Sequence, residues 1–281
     1  MSAKPINNLN VADLIGVIEG LAPPLLAEDW DNCGLQVGSR KWLVGKVWVA
    51  LDPLLEVVQA AAAQRVDMLI THHPLLFSAL RTVDVETAVG RVIETALASR
   101  MAIYSAHTNL DSAAGGLNKM FADMIGLGEL VPMVPAGHRT DQAGSDITAG
   151  MGRLGRLETQ MSLEVLAQRV KRRFDLTAVK IVGNPQMSVQ RVAVCSGAGS
   201  SLLDAFLSSD ADVYLTGDLR YHDARRVEDH GRALIDVGHF ASERIFIDKL
   251  VEQLRQYAHG KGWTVDIEPC RIENDPFKLI L

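Results

Sequence analysis

Asp67-Met68-Leu69-Ile70-Thr71 runs directly into His72-His73-Pro74. A short aliphatic run closed by polar residues and a proline reads as a buried strand rather than a helix. On its N-terminal side, Val47 to Leu51 reads as a strand and Leu54 to Gln64 as an amphipathic helix. On its C-terminal side, Val85 to Arg100 reads as a helix with Ala88, Val89, Val92, Ile93 and Ala96 on one face, and Ala102 to Ala106 as a further strand. Strand and helix therefore alternate, which implies an α/β fold of mostly parallel sheets flanked by helices. Further upstream, Asn10 is a plausible N-cap for a helix whose buried face is Val11, Leu14, Ile15 and Ile18.

A second series follows a less regular middle where Pro132, Pro135, Gly137, Gly144, Gly150 and Gly152 cluster. Ser162 to Phe174 reads as a helix, and Val189 to Cys195, Asp212 to Thr216 and Ala233 to Val237 as strands. Ser242 to Tyr257 reads as a helix, and Trp263 to Ile267 and Phe277 to Leu281 as closing strands. The expected organisation is two α/β domains, residues 1–130 with a share returning from the C-terminal segment, and residues 131–281, with the junction in the Pro/Gly cluster.

Composition narrows the class. At ~150 residues per domain, 281 residues suit one large domain or two modest ones. With 48% apolar and 22% charged residues, the chain has enough apolar content for a packed core. A formal charge of -6 argues against a general basic surface for nucleic acid or an anionic membrane. The N-terminus has no secretory signal pattern, and no apolar stretch reaches the ~18 residues of a membrane span. Cys33, Cys195 and Cys270 form no C-x-x-C motif and no disulfide framework, which fits a reducing, cytoplasmic setting.

Chemistry gathers where the strands end. His72 and His73 follow one strand; His107, with Asn109 and Asp111, follows another; Asp218 and His222 follow a third; His239 and Glu243 follow a fourth. Ligands of open α/β sheets bind at the C-terminal ends of the strands, so one spatial rule collects groups distant in sequence. Adjacent histidines at a strand end diverge, which suits two neighbouring ions. Imidazoles and carboxylates without a thiolate suit first-row divalent metals such as Zn, Mn, Fe, Co or Ni, and disfavour Ca and Mg. Each group also has a plain structural reading. A lone strand-end histidine is usually just hydrogen-bonded, Asp111 suits the N-cap of a helix from Ser112, and Asp218 and His222 suit a helix start. Ser196 to Ser201 suits either a phosphate-facing turn or a tight strand-to-helix connection, and matches no nucleotide fingerprint.

Five ordered stretches carry a family resemblance: Glu28-Asp29-Trp30-Asp31-Asn32-Cys33-Gly34-Leu35-Gln36-Val37-Gly38, Thr71-His72-His73-Pro74, His107-Thr108-Asn109-Leu110-Asp111, Gly217-Asp218 with His222-Asp223, and Gly238-His239-Phe240-Ala241-Ser242-Glu243. Together they resemble the GTP cyclohydrolase 1 type 2 family, also called the Ngg-interacting-factor-three-like family, from about residue 10 to 281. The resemblance implies two α/β domains, a toroidal homohexamer and a dinuclear metal site between the domains. It further implies His72, His73, Asp111, His239 and Glu243 as direct ligands of two divalent metal ions, with Glu243 as the bridge. His107 and His222 then line the site, either supporting the ligands from behind or facing the substrate. One departure is local: this chain has Asp218 and Tyr221-His222 where the family often has Glu and two adjacent histidines.

The resulting expectation is a dinuclear metal-dependent hydrolase acting on a small-molecule substrate, with a nucleotide such as GTP, and opening of its purine ring, suggested by the family name. Two ions acidify a shared water and hold a substrate oxygen. Imidazole titrates near neutral pH, which makes His107 and His222 the candidate catalytic proton carriers. The alternative is a non-catalytic metal-binding scaffold or regulatory partner protein; a nucleic-acid-binding ring finds no support in the charge.

Overall fold

Met68–Thr71 is a strand with all four residues buried, paired in parallel with Lys46–Ala50 on one side and Ala102–Ser105 on the other. The structure is a computed structural model that describes residues 9–137, 148–278 and 280. Its strands are β1 (Gly34–Val37), β2 (Lys46–Ala50), β3 (Met68–Thr71), β4 (Ala102–Ser105), β5 (Leu127–Pro135), β6 (Gly150–Ser162), β7 (Lys180–Val182), β8 (Ser188–Ala198), β9 (Val213–Gly217), β10 (Ala233–Asp236) and β11 (Asp266–Pro269). Its helices are α1 (Val11–Leu21), α2 (Leu55–Ala63), α3 (Ala88–Ala98), α4 (Thr108–Ser112), α5 (Leu117–Ile125), α6 (Leu163–Arg173), α7 (Leu203–Ser208), α8 (Tyr221–Asp229), α9 (His239–Glu243) and α10 (Ile245–Lys261). The α/β class expected from the alternating pattern is the one observed.

The chain divides into two compact units, Met1–Leu110 with Phe246–Asn274, and Asp111–Ile245 with Asp275–Leu281. The first unit holds a sheet of order β1-β4-β3-β2-β11, parallel throughout except for β1 against β4. Successive strand residues point to opposite faces, so a strand buried on both must be apolar throughout. Leu69 and Ile103 accordingly pack with Val57, Val58 and Ala61 of α2 and Val92 and Ala96 of α3, while the alternate residues Met68 and Ile70 are equally buried. Asn10 caps α1 reciprocally: its side chain accepts the Asp13 N–H at 3.1 Å, and Asp13 accepts the Asn10 N–H at 2.9 Å. Helix α3 starts later than the apolar pattern suggests because Thr87 caps it, accepting the Gly90 N–H at 3.0 Å.

The second unit holds a mixed sheet of order β5-β6-β8-β9-β10-β7. Strands β8, β9 and β10 run parallel, whereas β5–β6, β6–β8 and β7–β10 are antiparallel. Period-two alternation divides its core: Val192, Val194, Val213 and Leu215 pack with Phe121, Leu166 and Val170, while Ala193, Cys195 and Tyr214 pack with Leu203 and Phe206. Pro132, Pro135, Gly150 and Gly152 lie in the antiparallel pair β5–β6. Strand β5 is an edge strand, where proline is tolerated because its missing N–H deprives no neighbour. Gly144, within the same cluster, lies outside the described residues. At the C-terminal end, Asp266–Pro269 replaces the expected strand from Trp263, Phe277 and Lys278 are in no strand, and the expected strand's Leu279 and Leu281 lie outside the described residues. The expected helix over 242–257 is two helices, α9 and α10, which meet at Arg244.

Candidate functional site

In the first unit, three imidazoles converge beyond the ends of β3 and β4. Ring nitrogens of His72, His73 and His107 lie within 4.8 Å of one another. Each ring is held through Nδ1. His72, fully buried, donates from Nδ1 to the Ala106 carbonyl at 2.9 Å. His73 donates to Asp52 Oδ1 at 2.7 Å, and His107 to Asp31 Oδ1 at 2.9 Å. A carbonyl or carboxylate can only accept, so each Nδ1 carries a proton; in the neutral ring the lone pair is then on Nε2, the arrangement a metal ligand needs.

The acceptors are themselves fixed. Asp31 Oδ2 takes the Thr108 N–H at 3.0 Å, the Thr108 hydroxyl at 2.5 Å and the Cys33 thiol at 2.9 Å. Burial works to raise the Asp31 pKa, but the hydrogen bonds from His107, Cys33 and Thr108 outweigh it and hold this carboxyl well below the usual range. Asp52 follows β2, and its N–H and that of Leu51 are bound by Glu273 at 2.7 and 2.9 Å.

In the second unit, His239 and Glu243 open and close α9, the i and i+4 positions of one helical face. His239 donates from Nδ1 to Asp218 Oδ2 at 2.9 Å, and its Nε2 lies 3.0 Å from Glu243 Oε2. Asp218 performs this from a backbone φ of +54°, a region a non-glycine residue enters only when its surroundings hold it there. Room for the buried Glu243 carboxylate comes from Gly197 in β8: with φ at +63°, a Cβ there would stand 2.1 Å from Glu243 Oε1 and 3.3 Å from His239 Nε2. The preceding residue, Ser196, donates its hydroxyl to Asp111 Oδ1 at 3.3 Å, and Asn118 binds both the Asp111 carbonyl at 3.1 Å and the Ser196 N–H at 2.9 Å. Asp111 sits inside α4 rather than capping a helix from Ser112. His222 is exposed on α8, its ring 5.4 Å from that of Tyr221, and no metal-capable group among the described residues includes it.

Several of these residues escape a strand-end inventory of histidines. Asp52 follows a parallel strand and was open to the same rule that selected His73. Asp31 lies within a quoted motif, but nothing local links it to His107. Gly197 belongs to a stretch read as a phosphate-facing or tight turn, and its use is to leave space for a carboxylate. Glu273 has no local signal at all.

A family model for Duf34/NIF3 (NGG1p interacting factor 3) matches residues 9–276. The chain belongs to the Duf34/NIF3 family. Similar relatives carry the name "GTP cyclohydrolase 1 type 2 homolog". One, from Clostridium acetobutylicum, is 31% identical over 272 residues, covering 97% of this chain and 99% of the relative. Another, from Streptomyces coelicolor, is 32% identical over 270 residues, covering 95% and 93%. Among solved structures, a Bacillus cereus protein related to NIF3 superposes with a TM-score of 0.88 at 25% identity, covering 97% of this chain and 100% of that one. No helix among the described residues is long and apolar enough to cross a membrane.

The donor set suits the divalent ions expected from the sequence. Each of the four imidazoles turns Nδ1 to an oxygen acceptor. His239 Nε2 and the Glu243 carboxylate face one another at 3.0 Å, a placement from which both can ligate one cation.

Proposed function

We propose that this Duf34/NIF3 protein is a metal-dependent hydrolase in which His72, His73, Asp111, His239 and Glu243 hold two divalent ions. The observation that carries the reading is the shared ring orientation: His72, His73 and His239 each hold Nδ1 against an oxygen acceptor, which turns Nε2, the atom a metal ion takes, to the opposite side of the ring. Bound ions supply Lewis acidity, acidifying water and countering charge on a substrate oxygen.

The chain's own residues supply orientation and proton handling. Glu243, almost fully buried, provides a carboxylate fixed by α9 and the space beside Gly197. His107 accepts the proton of the attacking water at Nε2, and the Asp31 carboxylate on its Nδ1–H stabilises the imidazolium that results. His222 is the second candidate for this duty. The relatives' name supports a nucleotide, GTP first, and ring opening as the chemistry. Assembly into a homohexamer belongs to the same reading.

Elemental analysis of the reconstituted wild type beside His73→Ala and Glu243→Ala tests the metal set, and a nucleotide hydrolysis screen on the same samples tests turnover. Metal held by the wild type and lost by the variants, with turnover following it, is the expected result. A wild type holding no more metal than the variants overturns the reading, and metal without hydrolysis leaves a binding scaffold.

A further inference from the structure

The Glu28–Gly38 stretch builds more than the Asp31 contact to His107. Asn32 donates from Nδ2 to the Leu76 carbonyl at 2.7 Å, and Gln36 Oε1 accepts the Leu76 N–H at 3.2 Å. Gln36 also donates to the Asn32 carbonyl at 2.7 Å. These bonds fix the residue before Phe77, while the Asp31 bonds to Thr108 fix the residue after Trp30. The chain beside two large aromatics is thus fixed, yet both side chains face solvent: Trp30 is 57% and Phe77 59% exposed. Their ring centroids are 5.6 Å apart, and Trp30 stands edge-on to His107 at 6.0 Å.

An exposed indole and phenyl forgo part of the burial that aromatic side chains ordinarily gain, so a loop that presents them outward beside a histidine cluster is shaped for something that covers them. The neighbour decides what. A planar group seated on this pair lies beside His107, and aromatic side chains take planar heterocycles through their π-faces.

We propose that Trp30 and Phe77 form a stacking subsite for a planar heteroaromatic ring, such as a purine, on the substrate. The inference rests on the reading of His107 as a substrate-facing group and deepens it by assigning the contact for the ring. Phosphate and sugar play no part in this contact.

Calorimetry with guanosine and with ribose 5-phosphate separates ring from remainder, using metal-stripped and metal-loaded wild type, Trp30→Ala, Trp30→Phe and Phe77→Ala. Guanosine binds more tightly than ribose 5-phosphate, Trp30→Ala and Phe77→Ala each weaken it on the order of tenfold, and Trp30→Phe retains most of it. Both positions are exposed, so the variants fold, and their metal content matches the wild type. Guanosine binding no better than ribose 5-phosphate, or alanine variants within about twofold of wild type, overturns the proposal. So does a fall in assembly mass by light scattering with guanosine binding intact, because the aromatics then serve a second copy of the chain. Since stripped protein is included, failure of the metal reading leaves this result separately legible.

Discussion

Glu273 accepts the Asp52 N–H at 2.7 Å, and Asp52 accepts the His73 Nδ1–H at 2.7 Å. A residue from the C-terminal segment thus sets the orientation of an imidazole in the first unit. Its carboxyl is pushed up in pKa by burial, against the backbone hydrogen bonds of Asp52 and Leu51 that favour the charged form. Glu273→Ala removes the anchor from both N–H groups and is expected to weaken metal retention about tenfold. It also costs about 1–3 kcal/mol of stability. Glu273→Gln keeps one acceptor and loses less. Chelator competition and thermal unfolding check both, and metal retention unchanged in Glu273→Ala would remove the orienting role.

Asp31 offers the acid-side test. Its pKa is held below that of an unfolded aspartate, so its stabilisation is fully present above about pH 4 and is lost as pH falls through the folded value. Asp31→Ala leaves the donors of His107 and Thr108 unmatched and costs about 3 kcal/mol near neutral pH. The wild-type advantage over Asp31→Ala therefore shrinks on acidification. Urea titrations from pH 7 down to pH 3 measure it; a difference that stays constant would refute the assignment.

The strand-end histidines were legible because a parallel sheet buries its strands and releases polar residues only at their ends, as at Thr71-His72-His73. What fixes those histidines was not legible. Ala106 acts through a carbonyl that every residue possesses, and Glu273 is 221 residues from Asp52. The Pro/Gly cluster reads as a junction only when proline is assumed to end strands, whereas Pro132 occupies an edge strand in register with Arg153. The two compact units meet in the chain at Leu110–Asp111, inside α4, where no composition change marks it.

Gly197→Ala tests the carboxylate's space. The new methyl conflicts with Glu243 Oε1 and the backbone is left-handed there, so both side chain and backbone resist it. A loss of about 1–3 kcal/mol and depleted metal are expected together. Gly231→Ala serves as control, because its φ is also positive, at +64°, but open space surrounds it. Equal metal content in the two variants would count against the conflict with Glu243.

The thiols supply a pH test independent of metal. Cys33 is pushed up to about 12 by burial and by its bond to Asp31, Cys195 to about 12 by burial with Asp111 nearby, and Cys270 upward by burial. For Cys33 and Cys195, a rise from 9.0 to about 12 lowers the thiolate population at neutral pH about a thousandfold. Iodoacetamide at pH 7.5 should modify the urea-unfolded chain at all three cysteines while the folded chain stays unlabelled, as read by intact mass. Prompt labelling of folded Cys33 would show that its thiol is not tied to Asp31.

Strand β11 lies in the sheet of the first unit but follows β5 to β10 in the chain. During synthesis, the second unit's entire sheet leaves the ribosome before Asp266–Pro269 can pair with Lys46–Ala50. Until that moment β2 is an open edge, with unpaired N–H and C=O groups available to any other nascent strand. The earlier-made unit is therefore completed later, and its window of aggregation risk lasts at least as long as translation of the segment between β2 and β11.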